Sequence, residues 1–432
     1  MPDDPEPSLS KAELAALREL APETLPAAPA DPTNAWADDA KAARLGQALF
    51  FDARFSGTLL DGDNDGTPNA LGQKGDVNKV SCAGCHLPQD GFSDTRTLHQ
   101  QVSLGSGWGM RRAPSLLDVA QSKLLMWDGR RDSFFAQVFG VLESEVEMNS
   151  SRLYAAHQVF ANLRAEYEDV FGPMPQLDDA VRFPMLGANQ TGCRRLDEHN
   201  KCVDKRRGVP GDGAEFDGMS AADQADVTRV WVNVGKALGA YQRLLTCGPS
   251  AFDRWVAGDA AALSRQAQRG AGLFVGRAGC VSCHSGPYLS DEKFHNVGLQ
   301  PAVVAVVFID ADDRGAKTGL TLAEADALSS QGSFSDGYDE RLPASIDDSY
   351  LGAFRTPRLR CVAGRPSFMH TGQLSTLAQV VDFFDRGGDH FGFPGQNELE
   401  ALQLTERERS DLVAFLEALT GPGPSSALAA PP

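Results

Sequence analysis

The sequence has no long hydrophobic run and no excess of positive charge. Its longest apolar run covers residues 302–309, which is far too short to cross a bilayer, since a spanning helix needs about 20 apolar residues. The formal net charge is −18 at pH 7, and such an acidic protein is a poor ligand for nucleic acid or anionic membranes. We therefore expect no membrane span and no nucleic-acid partner, whereas a basic protein partner stays open.

Targeting and strand signals are also scarce. The opening residues, Met1-Pro2-Asp3-Asp4, are acidic and precede no apolar segment, so no signal peptide is visible. The best strand pattern is Val303–Ile309. The other periodic segments are helical, with Asp38 as the N-cap of the first: Asp38–Phe51, Ala221–Leu245 and Ala262–Phe274.

Two copies of the pattern Cys-x-x-Cys-His are present. They consist of Cys82, Cys85 and His86, and of Cys280, Cys283 and His284. In this pattern the two thiols add to the vinyl groups of haem, and the histidine ligates the iron. A zinc knuckle would need further Cys and His pairs at ligand spacing, which the other cysteines do not provide, and a redox pair is the remaining alternative. The motifs predict two covalently bound haem c groups.

Four cysteines lie outside these motifs: Cys193, Cys202, Cys247 and Cys361. Haem c is attached outside the bacterial cytoplasm, so we expect a periplasmic or exported protein and interpret the sequence as a mature form. An even number of spare cysteines in an oxidising compartment suggests two disulfides. Cys193 with Cys202 closes a short loop and is the natural first pair, leaving Cys247 with Cys361. Other connectivities, or four free thiols, remain open.

The 432 residues are enough for two or three domains. We predict two blocks, each built around one motif with helices before and after it, at residues 35–245 and 246–420. Residues 1–34 and 421–432 have the composition of mobile tails, although Leu9–Leu20 is compatible with a short helix. Residues 185–218 are interpreted as an insertion that covers the first block.

A further series of motifs follows in a fixed order along the chain. It comprises Arg112–Leu116, Met126–Arg130, Gln137, Glu145–Met148, Phe294–Gly298, Phe354–Arg360 and Phe368–Gly372. Over residues 38–420 this series resembles the bacterial dihaem cytochrome c peroxidase superfamily, which includes the MauG enzymes and their MbnH relatives. The resemblance implies a mainly α fold with long loops and few short strands, in which two cytochrome c-like domains each enclose one haem c.

The resemblance also implies roles for three residues. Peroxide would react at the first haem, the second haem would store or relay an electron, and Trp127 would lie between them. Glu147 and Gln137 match polar residues above the peroxidatic iron. A carboxylate in a low-dielectric pocket has a raised pKa and can shuttle protons, and the amide would orient peroxide. The alternatives are core packing for Trp127 and a solvated acidic stretch that joins Glu147 to Glu143 and Glu145.

Two positions depart from the family pattern. Ser106 stands where classical peroxidases carry a histidine that caps the first iron, and His99 matches no motif, so we expect the first haem to be open. Phe384 stands where the family places the Met or Tyr ligand of the second iron. Either the second haem is five-coordinate or another group ligates it, the candidates being Met369, His370, His295 and His390.

Calcium is the remaining cofactor question. The family usually holds Ca²⁺ through an asparagine at the position of Arg112; an arginine cannot coordinate the ion, but its charge can replace it. Separately, Asp61, Asp63 and Asp65 match the start of a calcium loop, although Gly72 stands where the loop needs glutamate. A calcium site and a solvated acidic turn both stay open.

Three functions are compatible with these features. The first is an H₂O₂-dependent enzyme that oxidises a partner protein, as MauG-like enzymes do. The second is a cytochrome c peroxidase that draws electrons from a small cytochrome. The third is a dihaem electron-transfer protein without catalytic activity, which conflicts with the absence of a capping residue at Ser106 and with the presence of Gln137 and Glu147.

Overall fold

The fold is mainly helical. A computed structural model of the chain describes residues 8–62, 70–97, 102–208, 215–300, 313–391 and 393–432. Its helices are α1 (Lys11–Leu20), α2 (Ala40–Phe51), α3 (Cys82–Cys85), α4 (Phe134–Leu142), α5 (Arg152–Asn162), α6 (Arg164–Phe171), α7 (Ala221–Gln242), α8 (Ala251–Val256), α9 (Arg265–Val275), α10 (Ala316–Glu324), α11 (Leu377–Asp385) and α12 (Glu406–Ala418). The strands are β1 (Cys193–Leu196), β2 (Cys202–Lys205), β3 (Phe294–His295) and β4 (Phe354–Arg355).

The larger hydrophobic core surrounds α7, a helix of 22 residues. Helices α2, α4 and α5 pack against it. The contact of α2 with α7 is close, because a Cβ atom on Gly46 would lie 2.0 Å from the carbonyl oxygen of Ala237. Glycine at this position allows the backbones to approach, and any larger residue would push the two helices apart.

The second core lies between α9 and α12, with α1 and α11 against them. It repeats the same packing device, since a Cβ atom on Gly270 would lie 2.0 Å from the carbonyl oxygen of Asp411. The neighbouring Arg269 forms an ion pair with Asp411 at 2.9 Å. Each Cys-x-x-Cys-His motif thus follows a helix that a glycine holds against a partner helix.

The helix boundaries differ slightly from the predicted ones. Asp39, rather than Asp38, caps α2 and accepts hydrogen bonds from the amides of Lys41 and Ala42. Asp38 instead forms an ion pair with Arg243 at 2.8 Å. Helix α7 ends three residues before the predicted Leu245, and α9 starts after its N-cap Ser264. The helical periodicity found the elements, whereas side-chain capping set their ends.

Both terminal segments pack against the rest of the chain, which differs from the tails that their composition indicated. Leu17 and Leu20 of α1 are buried in the second core. At the other end, Gln47 donates to the carbonyl oxygens of Ala427 and Ala430 at 2.6 and 2.7 Å. The apolar face of α1 and the backbone carbonyls of the last turn contact the rest of the chain. Composition alone does not predict these contacts.

Both predicted disulfides are present. Cys193–Cys202 joins β1 to β2, which form an antiparallel hairpin. Cys247–Cys361 joins segments 114 residues apart. The described parts of residues 185–218 contain this hairpin and contribute Leu186 and Phe216 to the first core.

Strands are few in the described part of the chain. The second sheet pairs Phe294 with Arg355 and His295 with Phe354. The predicted strand Val303–Ile309 lies outside the described residues. No helix among the described ranges is long and apolar enough to span a bilayer.

Candidate functional site

The first Cys-x-x-Cys-His motif forms a single helical turn that ends at the histidine. The amide of His86 donates to the carbonyl of Cys82 at 2.8 Å. The Nδ1 atom of His86 lies 3.2 Å from the carbonyl oxygen of Phe92. Because a carbonyl oxygen only accepts, Nδ1 carries the proton and Nε2 keeps its lone pair free for a metal. Burial lowers the pKa of His86, which favours this neutral form.

The second motif repeats this arrangement. The amide of His284 donates to the carbonyl of Cys280 at 2.9 Å. Its Nδ1 atom lies 2.9 Å from the carbonyl oxygen of Leu289. Burial lowers the pKa of His284 to about 4. Both histidines are therefore neutral at physiological pH and oriented by a backbone carbonyl, as metal-ligating histidines are.

The motif cysteines are the four that form no disulfide. Burial raises the pKa of Cys82 to about 12 and that of Cys280 to about 12, and burial also raises the pKa of Cys85. These side chains are therefore neutral thiols beside a neutral imidazole. This donor set fits thioether attachment of a haem with one axial histidine, as the spacing predicts.

A cavity of about 590 Å³ opens above the first motif. This volume lies within the range of cofactor and ligand pockets. The cavity wall includes Cys82, Cys85 and His86, and it also includes Trp127, Gln137 and Glu147. The structure thus brings together the first motif and all three residues for which the sequence predicts catalytic roles.

Glu147 lies in the wall of this cavity, just after α4. Burial raises the pKa of its carboxyl group, against the lowering effect of the Arg130 charge. Glu143, by contrast, forms an ion pair with Arg152 at 2.6 Å, and Glu145 does not line the cavity. Glu147 is thus distinct from the acidic residues that precede it. Gln137 lies on α4 and lines the same cavity.

Ser106 cannot act as an iron ligand in this structure. Its side chain is fully buried, and its hydroxyl donates to the carbonyl of Glu145. Its amide donates to the carbonyl of Glu147 at 2.8 Å. The segment is therefore fixed against the loop that carries Glu147. His99 lies outside the described residues.

Trp127 contacts segments from both blocks. Its indole Nε1 donates to the carbonyl of Arg112 at 2.8 Å, and its own carbonyl accepts from the amide of Arg355 at 2.8 Å. Its ring centroid lies 6.5 Å from that of His370, which stacks on Phe354 at 3.5 Å. Burial lowers the pKa of His370 to about 3, so this imidazole is neutral. An aromatic series therefore leads from the cavity wall into the second block.

A buried ion-pair network, which the sequence patterns did not predict, forms part of the cavity wall. Arg111 pairs with Asp128 at 2.6 Å and with Asp313 at 2.7 Å, and Arg130 pairs with Asp128 at 3.0 Å. Burial alone would raise the pKa of Asp128, but Arg130 and Arg111 lower it to about 2. Asp128 and Arg130 lie beside Trp127 in the sequence, so their proximity to it was predictable. Asp313 lies 185 positions after Asp128, and no local sequence pattern indicates that it joins the network.

Arg112 occupies a buried position between two carbonyl groups. Its Nη1 donates to the carbonyl of Asp94 at 2.9 Å, and its Nη2 donates to that of Thr97 at 3.0 Å. The carboxylate of Asp94 lies 3.7 Å away. Carbonyl and carboxylate oxygens are also the ligands of Ca²⁺. The guanidinium thus meets the kind of oxygen atoms that a calcium ion would need.

The other calcium candidate is incompletely described. Asp61 lines a smaller polar cavity of about 330 Å³ beside the β1–β2 hairpin, and Asp63 and Asp65 lie outside the described residues. Within the described ranges, no group of three or more His, Cys, Asp or Glu side chains is placed to hold a metal ion.

Phe384 and two of the candidate ligands for the second iron, His295 and His390, lie in different surroundings. Phe384 lies on α11 beside Phe383, with ring centroids 5.5 Å apart. The two ring nitrogens of His295 lie 2.7 Å from Glu398 and 3.0 Å from Asp291, so carboxylates already engage this imidazole. His390 is exposed. The identity of the sixth ligand of the second iron stays a prediction.

The chain is similar over most of its length to curated proteins. Residues 40–188 match the family described as di-haem cytochrome c peroxidase. Over 413 residues the chain is 30% identical to the methylamine utilization protein MauG of Methylorubrum extorquens, covering 95% of this chain and 86% of that protein. Over 408 residues it is 31% identical to the cytochrome-c peroxidase IdrP1 of Denitromonas iodatirespirans, covering 92% and 85%.

A solved structure shows the same fold. The diheme peroxidase BthA from Burkholderia thailandensis matches with a TM-score of 0.60 and 21% identity, covering 93% of each chain. Fold and sequence therefore agree, and this chain belongs to the dihaem cytochrome c peroxidase family that includes MauG.

Proposed function

We propose that this protein is a periplasmic or exported dihaem c-type peroxidase that uses H₂O₂ to oxidise a partner protein. The observation that carries the proposal is the single cavity in which the first Cys-x-x-Cys-His motif meets Trp127, Gln137 and Glu147. Reduction of one H₂O₂ to two water molecules would remove two electrons from the partner. The two disulfides support an oxidising compartment.

The residues of each motif would hold one haem c. Cys82 and Cys85 would form thioethers in the first block, with His86 as the axial ligand. Cys280, Cys283 and His284 would do the same in the second block. The haem supplies a redox-active iron that can bind peroxide, and its environment tunes the potential. The neutral imidazoles and neutral thiols support this assignment.

Glu147 would move the proton that peroxide cleavage requires. The carboxylate takes a proton from the near oxygen of H₂O₂ and returns it to the leaving oxygen, which departs as water. A pKa raised by burial brings proton uptake closer to neutral pH than for an exposed glutamate. The amide of Gln137, which lines the same cavity, would orient peroxide by hydrogen bonding.

The loop around Ser106 would leave the peroxide-binding face open. The serine hydroxyl is bound to a backbone carbonyl and offers no ligand. The protein should therefore react with peroxide without prior reduction. Trp127 would then connect the cavity to the second block, because it is hydrogen-bonded to Arg112 and lies beside His370.

The electron source separates this proposal from its main alternative. The relatives include proteins named cytochrome-c peroxidase, which favours a small cytochrome c as the donor. The same cavity residues would serve both reactions. A net charge of −18 suits a basic partner of either kind.

Steady-state turnover with two classes of reductant tests the proposal. H₂O₂ consumption would be measured with a reduced small cytochrome c, and separately with candidate partner proteins encoded near this one, whose modification is followed by mass spectrometry. Peroxide-dependent modification of a partner protein supports the proposal. Rapid turnover with cytochrome c alone, and no modified protein, would assign the cytochrome c peroxidase function instead.

A further inference from the structure

Four arginines lie in β4 and the segment that follows it, near the second Cys-x-x-Cys-His motif. Arg355, Arg358 and Arg360 are buried, with 9%, 5% and 1% of their surface exposed, and Arg365 is partly buried. Burying several cations together is costly unless anions compensate for them. The partners of each guanidinium group therefore show whether the site is complete.

Arg360 is fully compensated. It forms an ion pair with Asp253 through two contacts, at 2.8 and 2.9 Å. It also donates to the carbonyls of Pro287 and Leu20. This arginine therefore fastens α8, the second motif loop and the end of α1 to one another, and it needs no further ligand.

The other three arginines have fewer carboxylate partners than positive charges. Glu292 lies 3.3 Å from Arg355 and 2.7 Å from Arg358, so one carboxylate serves two guanidinium groups. Arg365 donates only to the backbone carbonyls of Arg358 and Arg360, at 2.7 and 3.3 Å. Among the described residues, no carboxylate forms an ion pair with Arg365.

Two donors in this cluster have no acceptor within the described part of the chain. They are the buried Nε atoms of Arg358 and Arg365. Burial lowers the pKa of each guanidinium to about 10, so both remain charged at neutral pH. A buried charged N–H group without a partner is unfavourable, and two such groups in a cluster with fewer carboxylates than arginines favour a further anion at this site.

Asp118 does not fill this role. Burial raises the pKa of its carboxyl group to about 6, although the Cys247 amide and the charges of Arg358, Arg360 and Arg365 lower it. Its Oδ1 accepts from the Cys247 amide, while its Oδ2 is buried without a partner. Even with Asp118 and Glu292 both ionised, three arginines face two carboxylates.

The incomplete cluster lies beside the second motif. After burial, which is the main cause, the charge of Arg365 is among the groups that lower the pKa of His284. The following Phe368 packs in the same core as Cys280 and Val281. The guanidinium group of Arg365 thus lies within electrostatic reach of the histidine that would ligate the second iron, and Arg365 donates to the backbone carbonyl of Arg358.

We propose that Arg358 and Arg365 form a carboxylate-binding cradle for a propionate of the second haem. The inference rests on the proposed function, because it requires a haem at the second motif. The propionate would accept from the two unpaired Nε–H groups and would supply the negative charge that the cluster lacks. The arginines are positioning residues that hold the haem and raise its reduction potential, since a nearby positive charge favours the reduced state.

Spectroelectrochemical titration of the holoprotein tests the cradle. Arg365→Gln and Arg358→Gln should each lower the midpoint potential of the second haem by at least the equivalent of a tenfold change in its reduction equilibrium, about 59 mV for one electron. Arg365→Lys keeps the charge but not the Nε–H group, so its potential should change less. In all three variants, the propionate bending band in the resonance Raman spectrum should shift. Arg164→Gln, which removes a half-buried arginine paired with Glu168 in the first block, is the matched control.

Unchanged potentials and unchanged propionate bands in both glutamine variants would overturn the cradle. A wild-type potential that varies with added inorganic phosphate would also overturn it, because the anion would then be a free ion. If Arg365→Gln does not accumulate as holoprotein, Arg358→Gln and the phosphate titration decide the question. Pyridine haemochrome analysis of the wild type distinguishes failure of the cradle from failure of the proposed function. Fewer than two haems would overturn the proposed function itself.

Discussion

At the scale of single residues, one carboxylate differs from its neighbours. Glu147 lines the cavity and has a pKa raised by burial, whereas Glu143 is paired with Arg152 and Glu145 does not line the cavity. The sequence placed all three in one acidic stretch, and the choice among them came from the family motif. The chain reverses direction after α4, and this reversal determines which of the three carboxylates lines the cavity. No periodicity in the sequence predicts it.

We expect Glu147→Gln to slow peroxide cleavage by about 10²–10⁴-fold, the usual contribution of general acid–base catalysis. An amide fills the same space but cannot accept the proton. Stopped-flow mixing with H₂O₂ measures the rate, and absorption spectra should show both haems intact. Glu145→Gln is the control and should react like the wild type.

The pH dependence of the rate of peroxide cleavage tests the role of Glu147 independently. The ionised carboxylate is the proton acceptor, so the rate should fall as pH drops through its folded-state pKa. Because burial raises that pKa, the fall should begin at higher pH than for an exposed glutamate. In Glu147→Gln this acidic limb should disappear. An identical limb in both proteins would remove Glu147 from the mechanism.

Trp127 is one of the residues whose contacts connect the two blocks. Trp127→Phe should leave the first haem reactive toward peroxide but slow electron sharing with the second haem, because the hydrogen bond to Arg112 and the larger indole ring are lost. Freeze-quench EPR of both haems after peroxide addition checks this. Trp36→Phe, whose ring packs on Phe171, is the control. Undisturbed sharing in Trp127→Phe would reduce the tryptophan to a packing role.

At the scale of elements, periodicity predicted four of the helices, α1, α2, α7 and α9, and cysteine spacing favoured the two disulfide pairs that the structure shows. Helix α2 and both disulfide pairs match the expectation closely. The cavity wall was less predictable, because Arg111 and Asp128 meet Asp313 from a distant segment. Long-range pairing of single charges leaves no pattern in the local sequence, so the ion-pair network emerged only from the fold.

The loop that carries Arg112 allows a test of the calcium question. Arg112 donates to two carbonyls and lies near the buried carboxylate of Asp94. We therefore expect the melting temperature of the wild type to be the same with and without a calcium chelator. Arg112→Ala should cost about 3–5 kcal/mol in the free energy of unfolding, since Asp94 would remain buried without its partner. A melting temperature that falls in chelator would show that a calcium ion stabilises the protein despite Arg112.

At the scale of the whole molecule, two hydrophobic cores each lie beside one Cys-x-x-Cys-His motif. The sequence predicts two blocks from the repeated motif, and the division of the chain at residues 245 and 246 stays a prediction. It did not predict that α1 joins the second core while the last residues pack on α2 and α7. These crossing contacts depend on burial and on carbonyl acceptors, which composition does not reveal.

Mass spectrometry of the intact holoprotein tests whether each motif binds one haem. The wild type should carry the mass of two haem groups, because each motif offers two thiols and a histidine. Replacing Cys82 and Cys85 together by alanine should remove one haem and leave the second attached through Cys280 and Cys283. A spectrum that still shows two covalent haems would contradict the assignment of the first motif.

We infer that the first haem has an open face and that Glu147 and Trp127 act beside it. The addition of one equivalent of H₂O₂ to the as-isolated, fully ferric protein without reductant, followed by EPR and visible to near-infrared absorption, tests this directly. We predict rapid loss of the high-spin ferric signal, with oxidising equivalents that persist on the protein. No reaction until one haem is reduced would contradict the claim, because a hidden ligand would then cap the first iron.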